Sequence, residues 1–308
     1  MDLAVITFKQ VFVLFLLMLA GVVCTRAGGV HPGDKRAFSD LLLNLVVPAM
    51  VVNSYLTEYN PSTGHNLLRA FGWSLLVLLA GFAITFFLIR NVRGEQLSIR
   101  RFACIFSNAA YMGFPLIESL FGAEGLLYAS AYVTMFNLLL WTIGAAMVSG
   151  ETRRREIAAS ILRTPVLYAV VAGLIIYFLR IPVPEIIQKP LGLIGAMNTP
   201  LSMFITGMLI ASSRLGRVIR NRLLWGVMAL RMLVIPAVCI ALFAVLGFRG
   251  MVGEVVLLLE ACPCAAITSV FAVRYHHDEE FGAGLVVVST LISIVTLPLC
   301  AMLLATVL

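Results

Sequence analysis

Two proline-containing segments, residues 106–118 and 260–269, hold the side chains that could do chemistry in this chain. Small and polar residues surround Pro115 in the first segment and Pro263 in the second, and Asn108 lies on the N-terminal side of Pro115. A proline lacks the backbone N–H and frees a carbonyl one turn back. At membrane depth such a carbonyl needs protein, water or a cation, whereas half-helix N-termini attract carboxylates. The two segments therefore indicate a site for a small anion, a cation or both.

The elements that must position these segments are membrane-spanning helices. The 308 residues are 61% hydrophobic and 12% charged, whereas soluble domains carry about 25% charged residues. The apolar residues form blocks of about twenty, long enough for a helix to cross a hydrocarbon layer of roughly 30 Å. We therefore predict an all-α integral membrane protein in the cell membrane, meaning the inner or plasma membrane.

Ten spans can be drawn, because clusters of arginine separate the apolar blocks. Their predicted ranges are 5–23, 38–56, 70–89, 102–121, 126–149, 165–179, 191–211, 223–248, 252–273 and 282–307. Most of the 22 Lys and Arg fall at 26–36, 90–101, 153–163, 214–222 and Arg274. This is the positive-inside pattern of cytoplasmic loops and not a groove-binding stripe, so no nucleic-acid partner is expected despite the net charge of +7.

An internal symmetry relates two halves of one transporter unit spanning 1–308. Pro48 in span 2 corresponds to Pro200 in span 7, and the prolines of spans 4 and 9 also correspond. Halves of five crossings each, 1–150 and 160–308, must have inverted orientations. Inverted repeats with interrupted helices at matching positions point to a midplane binding site. The alternative is that the prolines only kink their helices.

A family resemblance follows from four motifs in the right order. Residues 108–117, Asn-Ala-Ala-Tyr-Met-Gly-Phe-Pro-Leu-Ile, resemble the span-4 motif of the auxin efflux carrier family. That family includes plant auxin exporters and bacterial malate and malonate permeases. Residues 263–275 are similar to its span-9 crossover segment, 289–299 to the last span of bacterial members, and 44–56 to span 2. The resemblance covers essentially the whole chain.

The resemblance implies ten transmembrane helices as two inverted five-helix repeats, a fold shared broadly with bile-acid/sodium symporter-like transporters. Helices 1, 2, 6 and 7 would form a scaffold domain and a homodimer interface. Helices 3–5 and 8–10 would form a transport domain that moves by an elevator mechanism. Helices 4 and 9 would be interrupted near 113–115 and 262–264 and would cross near the midplane.

The resemblance also implies a substrate site, in which Asn108 contacts the carboxylate of a small organic anion. The expected substrate-binding residues are Asn108, Gly113, Pro115, Cys262, Pro263, Cys264, Thr268 and Ser269. Plant carriers have a glutamine where this chain has Cys264 and a second proline where Thr268 stands. These departures argue against auxin itself and leave malate, malonate or an auxin-like acid as the expected class.

Four charged residues lie within or near predicted spans, where each costs about 2.5–3.5 kcal/mol at a helix centre. They are Asp40, Glu118, Arg231 and Glu260. The inverted repeat places Glu118 and Glu260 on the outer side of the crossing, where they could share a proton or bind a cation. The three acids are therefore candidates for coupling to H⁺ or Na⁺. Alternatively, one acid lies near the interface or is salt-bridged, for example to Arg231.

A secondary carrier of an organic anion is the leading function, and three other classes compete with it. A channel, a sensor, or an ion-coupled carrier of another small solute in the bile-acid-transporter-like superfamily remains an alternative. An intramembrane enzyme would need paired aspartates or a His-Glu-x-x-His motif, and the sequence contains neither, so no enzymatic activity is expected. The four histidines are not spaced as metal partners, and no cofactor is expected.

The charge pattern predicts that both termini lie outside the cytoplasm, because the arginine clusters follow spans 1, 3, 5, 7 and 9. A reporter that is active only in the cytoplasm, fused after Leu308, should therefore be inactive. The same reporter inserted between spans 5 and 6 should be active. An active fusion after Leu308 would reverse the topology.

Overall fold

Long apolar helices make up most of the structure, a computed structural model that describes residues 3–57, 60–90, 96–150, 165–213 and 215–307. The described part of the chain is helical and contains no β-strand. The first half contains α1 (Leu3–Arg26), α2 (Lys35–Leu41), α3 (Val47–Tyr55), α4 (Pro61–Leu88), α5 (Leu97–Ile105), α6 (Phe114–Leu139) and α7 (Ala145–Ser149). The second half contains α8 (Pro165–Leu179), α9 (Glu185–Ala196), α10 (Asn198–Ser212), α11 (Leu215–Val218), α12 (Arg222–Ala229), α13 (Ile235–Leu246), α14 (Met251–Ala261), α15 (Ile267–Arg274) and α16 (Glu279–Val307).

Short π-helical turns precede four of the α-helices. They comprise Leu42–Val46 before α3, Ala109–Gly113 before α6, Leu140–Gly144 before α7 and Leu230–Val234 before α13. In three of the four cases the α-helix that follows has a proline in its first turn. A proline cannot donate to the preceding turn and its ring crowds that turn, so a widened turn accommodates it. These prolines therefore lie within helical stretches without ending them.

Seven helical segments among the described residues are long and apolar enough to cross a membrane. They are Ile6–Arg26, Pro32–Tyr55, Pro61–Leu88, Ala109–Ser149, Glu185–Ser212, Arg222–Leu246 and Glu279–Val307. The sequence predicted ten spans, three more than these seven segments, and each of the three differences has a structural reason. Predicted span 6 corresponds to α8, which is apolar but shorter. Predicted span 9 is divided between α14 and α15, and predicted spans 4 and 5 fall largely within the single segment 109–149.

Gly122 divides that long segment. Its φ of 61° and ψ of −149° lie outside the helical region, between two helical parts of α6. Residues with a side chain rarely adopt this conformation, whereas glycine does so at little cost. A straight helix over all 41 residues would be about 60 Å long, roughly twice the hydrocarbon thickness. The glycine therefore lies where the sequence predicted a connection between spans 4 and 5.

Close packing of α1 against α10 depends on two glycines. A Cβ atom added to Gly207 would lie 2.1 Å from the Met18 carbonyl oxygen, and one added to Gly21 would lie 2.4 Å from that of Phe204. Small residues let membrane helices approach until their backbones touch, which replaces the hydrophobic driving force that lipid cannot supply. The two helices correspond to predicted spans 1 and 7.

Several predicted loops lie outside the described residues. The basic segment at 153–163 falls entirely within 151–164, and parts of the basic segments at 90–101 and 214–222 fall at 91–95 and 214.

The substitution Gly207→Ala should lower the melting temperature, because its Cβ meets a backbone oxygen that cannot rotate away. Overpacking of this kind costs about 1–3 kcal/mol. The matched control is Gly72→Ala in α4, where an added Cβ meets nothing within 4 Å. That change should be neutral or slightly stabilising, since alanine favours a helix by about 1 kcal/mol over glycine. Equal effects of both variants in a thermal unfolding assay would contradict the packing argument.

Candidate functional site

Two interruptions, one after α5 and one after α14, meet through their backbones. The Asn108 N–H donates to the Pro263 carbonyl over 2.7 Å, and the Ala265 N–H donates to the Phe106 carbonyl over 2.9 Å. These bonds are arranged as in an antiparallel strand pair, one residue pair long. The two segments that the sequence singled out are therefore in direct contact.

The two interruptions have different local causes. Pro263 ends α14, and Cys262 before it is extended, with ψ of 153°, as residues before proline usually are. This interruption lies where the sequence predicted it. The other interruption lies at 106–108, whereas Gly113 and Pro115 are helical. The prediction of a break near 113–115 was therefore wrong in position, because the π-helical turn absorbs the proline.

Asn108 and Thr268 each present a buried polar atom without a partner. Asn108 is 2% exposed and Thr268 is fully buried. The Nδ2 atom of Asn108 and the Oγ1 atom of Thr268 make no hydrogen bond within the described part of the chain. Buried polar groups are nearly always satisfied, so such atoms need an explanation, of which a missing ligand is one. Both residues were predicted to bind substrate.

Gly113, another predicted site residue, serves the contact between α14 and the π-helical turn before α6. A Cβ atom added to Gly113 would lie 2.5 Å from the Leu259 side chain and 3.4 Å from the Cys262 sulfur. The absence of a side chain at Gly113 therefore allows α14 to approach. Pro115 is buried in the first turn of α6.

Three further predicted substrate-binding residues make bonds within the protein. The Cys264 N–H donates to the Ser289 hydroxyl over 3.0 Å, which ties the second interruption to α16. The half-buried Ser269 hydroxyl donates to the Ala266 carbonyl over 2.8 Å. Pro263 contributes its carbonyl to the backbone pairing. These three residues thus shape the interruption.

A buried ion pair lies beside the paired interruptions. Arg231 and Glu260 are both fully buried, and Nη1 of the arginine is 2.9 Å from Oε1 of the glutamate. The Tyr132 hydroxyl donates to Oε2 of Glu260 over 2.6 Å and lies 3.0 Å from the Ser107 hydroxyl. A connected polar chain therefore runs from the first interruption to Arg231. The alternative of a salt bridge to Arg231 is confirmed for Glu260.

The other candidate coupling acids lie in different surroundings. Glu118 is exposed on α6, and Asp40 is exposed on α2. Glu260 has Arg231 and Tyr132 as its partners. The described contacts therefore do not bring Glu118 and Glu260 together as a shared proton or cation site.

The sequence did not single out Tyr132, Ser107 or Ser289 as site residues. A tyrosine or serine in an apolar run has many structural roles, so its type carries little signal. Arg231 had a stronger signal, because an arginine in the middle of a span is costly and usually functional. Only the fold shows which groups it binds.

Two cavities open elsewhere on the protein, with volumes of about 550 and 360 Å³. Gln188 lines both, together with Asn53 in the larger and Tyr55 in the smaller. None of the predicted site residues lines either cavity. The predicted site residues Asn108 and Thr268 are instead buried, with 2% and 0% of their surfaces exposed.

Long apolar helices with interruptions that meet at buried polar residues are a common feature of membrane transporters. The sequence profile of the membrane transport protein family, which is auxin efflux carrier-like, matches residues 6–301. The chain belongs to this family. It is 24% identical to an uncharacterized transporter of Methanothermobacter thermautotrophicus over 294 residues, which is 94% of this chain and 96% of the relative.

A second relative, an uncharacterized transporter of Methanocaldococcus jannaschii, is 20% identical over 303 residues. The match covers 94% of this chain and 96% of that protein. Both relatives match over nearly their full lengths, so the similarity includes both interrupted segments.

The substitution Tyr132→Phe should lower stability by about 1.5–3 kcal/mol, because it removes a hydrogen bond to a buried charged group. The control is Tyr275→Phe, since Tyr275 is half-buried and its hydroxyl makes no hydrogen bond within the described residues. The melting temperature of the purified variants in one detergent measures the difference. Equal melting temperatures would show that the Tyr132 bond contributes nothing to the fold.

Proposed function

We propose that this protein is a secondary active transporter of a small organic anion, a carboxylate such as malate, malonate or an auxin-like acid. The observation that carries the proposal is the pair of buried, unpartnered atoms, Asn108 Nδ2 and Thr268 Oγ1, on the two paired segments. Both atoms belong to groups that donate hydrogen bonds, and a carboxylate offers two acceptor oxygens.

Helix ends add a favourable potential for an anion. The helical segments that follow the pairing begin at Ala109 and at Ile267, immediately beside the two donors. The N-terminal end of a helix carries a positive partial charge and free N–H groups. Two such ends beside neutral donors would attract a carboxylate without a fixed positive charge.

The neutral character of these donors suits a carrier. Asparagine offers two N–H donors, and threonine offers a hydroxyl. Such groups can hold an anion in a low-dielectric site and still release it. An arginine in direct contact with the substrate would bind more firmly and slow release. The Arg231 guanidinium is instead occupied by protein oxygens.

The mechanism proposed with this function is elevator-type alternating access by two inverted five-helix repeats. The close approach of α1 and α10 supports a rigid scaffold that includes predicted helices 1 and 7. Predicted helices 3–5 and 8–10 would move as a transport domain, with the substrate held at the crossing of helices 4 and 9. A homodimer through the scaffold, in the cell membrane with both termini outside the cytoplasm, completes the proposal.

The substrate can be found by a thermal-shift screen of organic acids, because a bound ligand stabilises the protein by mass action. The acid that stabilises most would then be tested in proteoliposomes. A carrier gives saturable counterflow of labelled acid against unlabelled acid inside the vesicle. Flux that follows the gradient without counterflow would favour a channel instead.

The substitution Asn108→Ala should weaken binding of that acid by roughly ten- to hundredfold. A hydrogen bond to a charged group contributes about 1.5–3 kcal/mol, and about 1.4 kcal/mol corresponds to tenfold. The melting temperature without ligand should not fall, since the variant removes a buried donor that has no partner. The control is Asn137→Ala, whose amide already donates to the Val133 carbonyl over 2.8 Å.

Unchanged affinity together with a lower melting temperature for Asn108→Ala would mean that the asparagine supports the interrupted backbone. The substrate site would then lie elsewhere. Affinity lost equally in Asn137→Ala would mean that the effect is not specific to the paired interruptions.

A further inference from the structure

Arg231 is a fully buried charge in the middle of a candidate membrane span, Arg222–Leu246. It lies in the π-helical turn Leu230–Val234. A buried cation at this depth is costly, so its partners must compensate it. Arg231 lies beside the two interruptions but does not take part in the proposed contact between the anion and Asn108 and Thr268. Its position therefore needs a separate explanation.

Each nitrogen of the guanidinium donates to oxygen atoms of the interrupted helices. Nη1 donates to the carbonyls of Cys104 and Ile105, at the end of α5, over 3.1 and 3.2 Å. Nε and Nη2 donate to the Cys262 carbonyl over 3.1 and 3.0 Å, and Nη2 also donates to the Glu260 carbonyl. One side chain therefore binds the C-terminal ends of both α5 and α14.

These oxygens are the groups that a metal cation would otherwise bind. Hard cations prefer carbonyl and carboxylate oxygens. In transporters with interrupted helices, unwound carbonyls and half-helix C-termini are the usual ligands of a coupling cation. Four main-chain carbonyls and the Glu260 carboxylate converge here on a guanidinium. The negative ends of both helices are thus already neutralised by the protein.

We propose that Arg231 is a built-in cation that takes the place of a metal ion at the paired interruptions. Sodium then has no binding site at this position. The shape of the side chain fits the role, because a planar guanidinium with five donors can hold several carbonyls at once, whereas an ammonium is a compact point charge.

The Arg231–Glu260 ion pair also has no net charge. Glu260 balances Arg231, and the Tyr132 hydroxyl holds the second carboxylate oxygen. If the proposed elevator motion is correct, α12 to α14 would carry this neutral unit with them and would not move a net charge through the membrane. Only this consequence rests on the proposed function.

The experiment compares the melting temperatures of the purified protein and its variants in sodium and choline chloride at equal ionic strength, without substrate. The unsubstituted protein should melt at the same temperature in both salts. Arg231→Ala leaves Glu260 and the four carbonyls around an empty space, so sodium should raise its melting temperature by a few degrees over choline. Adding Glu260→Gln to this variant should abolish the sodium response.

The substitution Arg231→Lys should keep the sodium-independent behaviour, at a lower melting temperature, because it retains the charge but binds fewer carbonyls. A purely structural arginine would lower stability equally in both salts. If Arg231→Ala does not fold, Arg231→Ser replaces it, since serine is also uncharged and is small enough to leave space for sodium beside Glu260 and the carbonyls.

Sodium-specific stabilisation of the unsubstituted protein that is lost in Glu260→Gln would overturn the proposal. A folded neutral variant without a sodium response would also overturn it. These outcomes do not depend on which anion the protein carries, because no substrate is present. A failed substrate screen therefore leaves the result on Arg231 interpretable.

Discussion

Backbone carbonyls that lose their helical hydrogen bonds inside a membrane have no water to bind. This constraint determines how α5 and α14 can end within the protein. The C-terminal carbonyls of α5 and α14 are satisfied by Arg231, whose charge is balanced by Glu260. The backbone pairing between 106–108 and 263–265 satisfies groups just beyond those ends. Without such partners each exposed carbonyl would cost several kcal/mol in lipid. The interruptions thus exist because the fold supplies replacements for the missing helical bonds.

The same arrangement separates the two kinds of helix end. The negative ends are occupied by the guanidinium, whereas the helical segments that begin at Ala109 and Ile267 have their positive ends beside Asn108 and Thr268. In the proposed site a bound anion would meet these donors and positive ends, whereas Arg231 binds the carbonyls at the C-terminal ends of α5 and α14. This asymmetry connects the proposed built-in cation to the proposed anion site, although each can be tested alone.

Proline has two structural outcomes in this chain. Pro263 ends α14, because the residue before it is extended and the following residues pair with the other interruption. Pro115 instead lies in the first turn of α6 behind a π-helical turn, and the helix continues. The residue type is the same in both places. The difference arises because a widened turn absorbs one proline, while backbone pairing and the Arg231 contacts stabilise the break at the other.

The amino-acid sequence alone determined the membrane class, the family and the interruption at Pro263, because apolar blocks, a short motif and a missing N–H act locally. It also marked Asn108 and Arg231 by their polarity within apolar segments. Only the tertiary structure decided that the first chain break lies at 106–108, since no proline is present there and the break depends on pairing with a segment more than 150 residues away. The choice of Arg231 as the partner of Glu260, with Glu118 elsewhere, likewise depends on how separate helices pack. Packing of this kind leaves no local signal in the chain.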